Sequence, residues 1–155
     1  MTKSKRVLGR WLGITLAMMI FIAAGVANAA QPLVDVAWVK ANSGNSGLVI
    51  LDMRGKPAYL RGHIPGAVNS SYGKGGWRVL KDKVPGMLPS AAQLSKLIGG
   101  LGIDNSTHVV IAAPGNNSSD MGVATRLYWT FKVAGHDNVS ILNGGMKAYL
   151  SAVDK

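Results

Sequence analysis

With 155 residues, 17 Lys and Arg against seven acids, and no cysteine, the chain has room for one domain plus a short extra segment and excludes a disulfide framework. The formal charge of +10 is unevenly placed: Lys3, Lys5, Arg6 and Arg10 lie in the first 29 residues and all seven acids, every one an aspartate, lie beyond, so residues 30–155 carry 13 cations and a charge of +6. That surplus attracts small anions and acidic surfaces, but the cations are scattered without runs or interleaved aromatics, which argues against nucleic acid as a partner.

The four leading cations precede an uncharged apolar run, Trp11 to Val26, and then Ala27-Asn28-Ala29, a small-residue site of the A-x-A kind. This order reads as a secretory signal over residues 1–29, cleaved after Ala29 or Ala30, with a domain over 30–155 exported to the periplasm or cell surface. The competing reading is an uncleaved membrane anchor, for which the run falls short of the ~20 apolar residues a spanning helix needs. Contact with a membrane is expected only through this segment, if it stays attached.

Beyond it, Leu33 to Val36 reads as a short first strand, Asp35 to Lys40 as a helical turn, and Asn42 to Gly47 as a loop by composition. Leu48-Val49-Ile50-Leu51-Asp52 is a continuous β-branched run and reads as a buried strand. A short helix over Lys56–Arg61 and a strand over Ala67–Asn69 follow, then an irregular stretch from Ser71 to Pro89 rich in Gly and Pro. Ser90 caps a helix from Ala91 to Gly99 with Leu94, Leu97, Ile98 and Leu101 on one face. Val109 to Ala113 reads as a second buried strand, Pro114 to Asp120 as a loop opening a helix that runs to Ala134, Val139 to Leu142 as a strand, and Gly145 to Ala152 as the last helix. Apolar strands separated by helices imply α/β architecture, a mostly parallel sheet of about five strands with helices on both faces.

Two strings are specific. One is Asp52-Met53-Arg54 followed by Gly62-His63-Ile64-Pro65-Gly66-Ala67; the other is Gly135-His136, then Leu142-Asn143-Gly144-Gly145. Together they resemble the rhodanese (thiosulfate sulfurtransferase) family, over Leu33 to about Leu150. Met87-Leu88-Pro89-Ser90 and Arg126-Leu127-Tyr128-Trp129-Thr130-Phe131 narrow the resemblance to the N-terminal half of tandem-domain thiosulfate or 3-mercaptopyruvate sulfurtransferases. The resemblance implies the rhodanese-like fold and transfer of sulfur to cyanide or a thiol through a cysteine. It also implies a second, cysteine-bearing rhodanese domain as the partner of a catalytically silent first half. Physically, Gly62 and Gly66 give freedom around a rigid Pro65 turn, and Asp52 and Arg54 anchor the loop after the strand by charge-assisted bonds; alternatively Arg54 or Arg61 faces an anion.

Counting back from Gly135-His136 places the family's cysteine near Ser118. A thiolate there lies at a helix N-terminus, where dipole and N–H groups lower its pKa and hold a persulfide; a serine hydroxyl does neither, so no catalytic residue is assigned. The loop Asn116, Asn117, Ser118, Ser119, Asp120, Met121 and Gly122 is a candidate cradle for small sulfur anions through its backbone. Alternatively Ser118, Ser119 or Asp120 is simply the cap of the following helix. The missing G-x-S-x-G elbow argues against a serine hydrolase. Tyr128, Trp129 and Phe131 read as core or interface. His63, His108 and His136 lack metal-ligand spacing, so neither metal nor cofactor is expected. Two function classes remain: the non-catalytic half of a sulfurtransferase, and a standalone exported module binding an anion or a protein.

Overall fold

The apolar run Leu48–Asp52 becomes an interior strand of a five-stranded parallel sheet because both of its faces are buried: Leu51 packs on one side and Ile50 on the other. A computed structural model describes residues 30–153; the segment 1–29, read above as an export signal, lies outside the described residues. In chain order the elements are β1 (Leu33–Val34), α1 (Val36–Asn42), β2 (Leu48–Asp52), α2 (Lys56–Arg61), β3 (Val68–Asn69), β4 (Val79–Lys81), β5 (Val84–Met87), α3 (Ala91–Gly100), β6 (His108–Ala112), α4 (Ser118–Val133), β7 (Val139–Leu142) and α5 (Gly145–Val153).

The main sheet runs β1-β7-β6-β2-β3 and every pairing in it is parallel. Side chains alternate between its faces. Val109 and Ile111 enter one core with Leu127 and Phe131 of α4 and with Leu97 and Ile98 of α3; Val110 and Ala112 enter the other with Val39 of α1, Tyr59 of α2, and Met146 and Tyr149 of α5. Helices thus cover both faces, as the strand pattern implies. Side-chain caps start α1 and α3. Asp35 Oδ1 accepts the Trp38 N–H, so the first strand stops at Val34, two residues earlier than its hydropathy suggests. Ser90 and Gln93 form a reciprocal capping box on α3.

Within the stretch expected to be irregular, Val79–Lys81 and Val84–Met87 pair as an antiparallel hairpin. The turn residues Asp82 and Lys83 have φ of 50° and 65°. Such a turn ordinarily announces itself by Asn-Gly or Asp-Gly, and Pro85 further masks the second strand. The hairpin is tied to α4 by a guanidinium hydrogen bond from Arg126 to the Gly86 carbonyl, 3.1 Å. Of the three aromatics on α4, Phe131 is fully buried against Trp77 and His136, Tyr128 is half-buried, and Trp129 is exposed beneath the Arg126 guanidinium.

Candidate functional site

Parallel strands end on one edge, so the segments after β2, β3, β6 and β7 converge there, the usual place for a ligand crevice in such sheets. The segment after β2 is rigid. Asp52 is fully buried, and the Arg54 guanidinium meets its carboxylate with two nitrogens, Nη2 to Oδ2 at 2.6 Å and Nε to Oδ1 at 3.0 Å. The same Nη2 donates to the Gly62 carbonyl at 2.6 Å. This planar fork locks the β2–α2 turn to the Gly62-His63 segment. Asn69 completes the frame, its amide donating to the carbonyls of Asp52 and Arg54.

The segment after β6 is held from the other side by α5. Met146 N–H donates to the Ala113 carbonyl and Lys147 N–H to the Pro114 carbonyl, 2.8 and 3.0 Å. These bonds satisfy N–H groups at the start of α5 that would otherwise be orphaned. The approach is so close that a β-carbon on Gly115, at φ +83°, would collide with the Gly144 carbonyl. Gly144 and Gly145 serve this contact, letting a helix start against a strand end.

At the mouth of α4 the loop closes on itself. Asn117 is the cap: its Oδ1 accepts the Asp120 N–H at 3.1 Å, so the expectation that Ser118, Ser119 or Asp120 caps the helix is corrected by one residue. The Asp120 carboxylate in turn accepts the Asn116 N–H at 2.8 Å. A fixed negative charge therefore occupies the loop where an incoming anion would need N–H groups. Ser118 and Ser119 stand exposed in the first turn, beside Asp120 and ahead of Met121 and Gly122.

Two cation-bearing clefts flank the loop. One, of about 600 Å³, is lined by Met53, Lys56, Tyr72, Lys74, Pro114 and Asp120. The other, of about 340 Å³, is lined by Arg54, Arg61, Asn116, Lys147 and Ser151 among others and, among the described residues, by no acid. Ser118 lines neither. Cations scattered in sequence are thus gathered at this edge by the fold. Among the described residues, no three potential metal ligands converge.

A parallel five-stranded sheet with helices on both faces, its central strand opening through a loop into a long helix, defines a rhodanese-type α/β unit. The Rhodanese-like domain family matches residues 35–152, and the chain belongs to that family. It is 36% identical over 134 residues to thiosulfate sulfurtransferase of Bos taurus, covering 77% of this chain and 43% of that protein. It is 32% identical over 127 residues to thiosulfate/3-mercaptopyruvate sulfurtransferase 2 of Arabidopsis thaliana, covering 75% of this chain and 35% of that protein. A solved 3-mercaptopyruvate sulfotransferase of Escherichia coli superposes with a TM-score of 0.67 at 25% identity, over 80% of this chain and 49% of that one. The chain spans less than half the length of the curated relatives it matches.

Proposed function

We propose that this chain is the non-catalytic half of an exported tandem sulfurtransferase. A second rhodanese-like unit beside it supplies the cysteine that takes sulfur from thiosulfate or 3-mercaptopyruvate and passes it to cyanide or a thiol. The observation that carries this reading is Asp120 in the loop of a chain without cysteine: a carboxylate on the Asn116 N–H fills the cradle that a persulfide would need. The half-length match to the relatives supports a second unit.

Export rests on the N-terminal charge, apolar run and Ala27-Asn28-Ala29. The first anchoring contacts begin just beyond that site. Ser140 Oγ donates to the Gln31 carbonyl at 2.6 Å, and the Ile141 N–H donates to the Pro32 carbonyl at 2.8 Å. Cleavage after Ala29 or Ala30 leaves both in place.

The test has two arms. Purified residues 30–155 are assayed for thiosulfate:cyanide sulfur transfer and, by mass spectrometry, for persulfide after exposure to 3-mercaptopyruvate; neither is expected above buffer, and confirmed turnover overturns the reading. The native polypeptide is then detected in periplasmic extract of its source with an antibody to this domain. A product well above 16.2 kDa that contains a cysteine-bearing unit supports the tandem reading. A monomer of the domain's own size overturns it in favour of a binding module.

A further inference from the structure

We propose that the cleft between α2, the β6–α4 loop and α5 is a binding site for a small tetrahedral dianion, held by Arg61 and Lys147. The loop itself is the obvious candidate for an anion, and its own chemistry closes it: Asp120 already occupies the Asn116 N–H, and its charge repels a second anion. The opposite face of the same loop has the reverse character. Arg54, Arg61, Asn116, Lys147 and Ser151 line one cleft of about 340 Å³ with no carboxylate among the described residues that line it. The volume admits a tetrahedral oxyanion with water around it.

The three cations differ in what they have left to give. Arg54 is committed to buried Asp52 and to the Gly62 carbonyl, so it contributes a wall rather than a free charge. Arg61 and Lys147 are exposed and, among the described residues, have no acidic partner within 4.0 Å. Both are mounted on fixed backbone. Arg61 ends α2 and is followed by Gly62, whose carbonyl is clamped by Arg54 at 2.6 Å. Lys147 sits in the first turn of α5, its N–H bonded to the Pro114 carbonyl at 3.0 Å. Two unpaired cations facing one cleft from rigid mounts concentrate positive potential there, and the entropic cost of bringing their stems together is already met by the fold. A dianion engages both; a monoanion satisfies one and leaves the other unpaired. The Asn116 amide and the Ser151 hydroxyl add neutral donors at the rim. This site belongs to the chain itself and is independent of whether a second unit is attached.

Sulfate is the probe. Residues 30–155 are titrated with sodium sulfate at constant ionic strength against a chloride reference, following amide shifts of the Arg61, Asn116 and Lys147 regions by NMR. Saturable binding in the millimolar range is expected, weakening as ionic strength rises. Arg61→Gln and Lys147→Gln should each weaken it about fivefold; both positions are exposed, so the fold should be retained, which is checked by the same spectra. Asp120→Asn, on the far side of the loop, should change it by less than about twofold through a screened charge. Thiosulfate should compete with sulfate for the site. The proposal is overturned by non-saturable shifts, by equal response to chloride, by binding indifferent to both cation variants, or by a large gain in Asp120→Asn that places the anion in the loop. Binding of thiosulfate without binding of sulfate also overturns it, because recognition would then lie with the terminal sulfur rather than with charge.

Discussion

The Asp120 carboxylate folds back on its own loop to accept the Asn116 N–H at 2.8 Å, while its backbone N–H is taken by Asn117. A loop of this family thereby carries an internal anion at the start of a sixteen-residue helix. The helix dipole favours negative charge at that end, and here the charge is supplied by the sequence instead of a substrate. A thiol introduced at Ser118 is expected to feel both influences. Ser118→Cys should titrate only slightly below the ~8.5 of a free thiol, and Ser118→Cys with Asp120→Ala further below it, because removing the like charge lets the dipole and the freed Asn116 N–H act. The rate of iodoacetamide alkylation against pH measures both. Identical profiles at the free-thiol value would show that the loop is only a helix cap.

Arg54 and Asp52 hold the neighbouring turn, and the pair is buried: side-chain exposure is 11% for Arg54 and 0% for Asp52. Removing one partner strands the other. Arg54→Met is expected to cost about 3–5 kcal/mol in urea denaturation, because it leaves a carboxylate buried without its counter-charge. The double change with Asp52→Asn should cost clearly less, since no charge is then buried. Equal loss in the single and double variants would mean that the arginine acts by packing alone.

These two sites differ in how they could be read from the chain. The sheet was legible because its strands are short, continuous and apolar, and because the Gly62 to Ala67 and Leu142 to Gly145 strings fix the turns between elements. The Asp52–Arg54 anchor was legible because opposite charges two residues apart after a buried strand have few other partners. The β4–β5 hairpin was not, because Asp82 and Lys83 take left-handed backbone without the residues that usually signal it. The role of Asp120 was half legible: its charge is evident, but a reach back to residue 116 depends on how the loop bends. The pairing of Arg61 with Lys147 on one cleft is invisible in sequence, since it is the order of strands in the sheet that brings α2 and α5 to the same loop.

Glycine positions with positive φ separate into two classes, and a pair of variants tells them apart. At Gly102, φ is +77° and a β-carbon would meet open space; at Gly115 it would strike the Gly144 carbonyl. Gly102→Ala is expected to cost about 1 kcal/mol, the backbone penalty alone. Gly115→Ala should cost at least ~2 kcal/mol more, because the β6–α4 loop and α5 must move apart and the Met146 and Lys147 N–H bonds lengthen. Denaturation midpoints give the stabilities, and hydrogen exchange at Met146 and Lys147 reports the separation. Equal costs would mean that the loop yields freely.

Stability should fall below neutral pH through His108. Its Nε2 lies 2.8 Å from Ser140 Oγ, whose proton goes to the Gln31 carbonyl, so the imidazole donates and Ser140 accepts. Partial burial, and secondarily the nearby His136, hold its pKa below the usual 6.5. A base whose folded pKa is depressed binds fewer protons folded than unfolded, so stability is fully present above 6.5 and declines as pH falls from there to the folded value. Asp104 acts lower on the scale. Hydrogen bonds from the Ser106 and Thr107 side chains and from their backbone N–H groups bring its pKa to about 2, so its contribution is present above 3.8 and lost between there and about 2. Urea midpoints measured from pH 8 to pH 2 should therefore decline in two separate windows. His108→Gln should flatten the first and leave the second, and Asp104→Asn the reverse. A first-window slope unchanged in His108→Gln would assign the neutral-pH loss to another group.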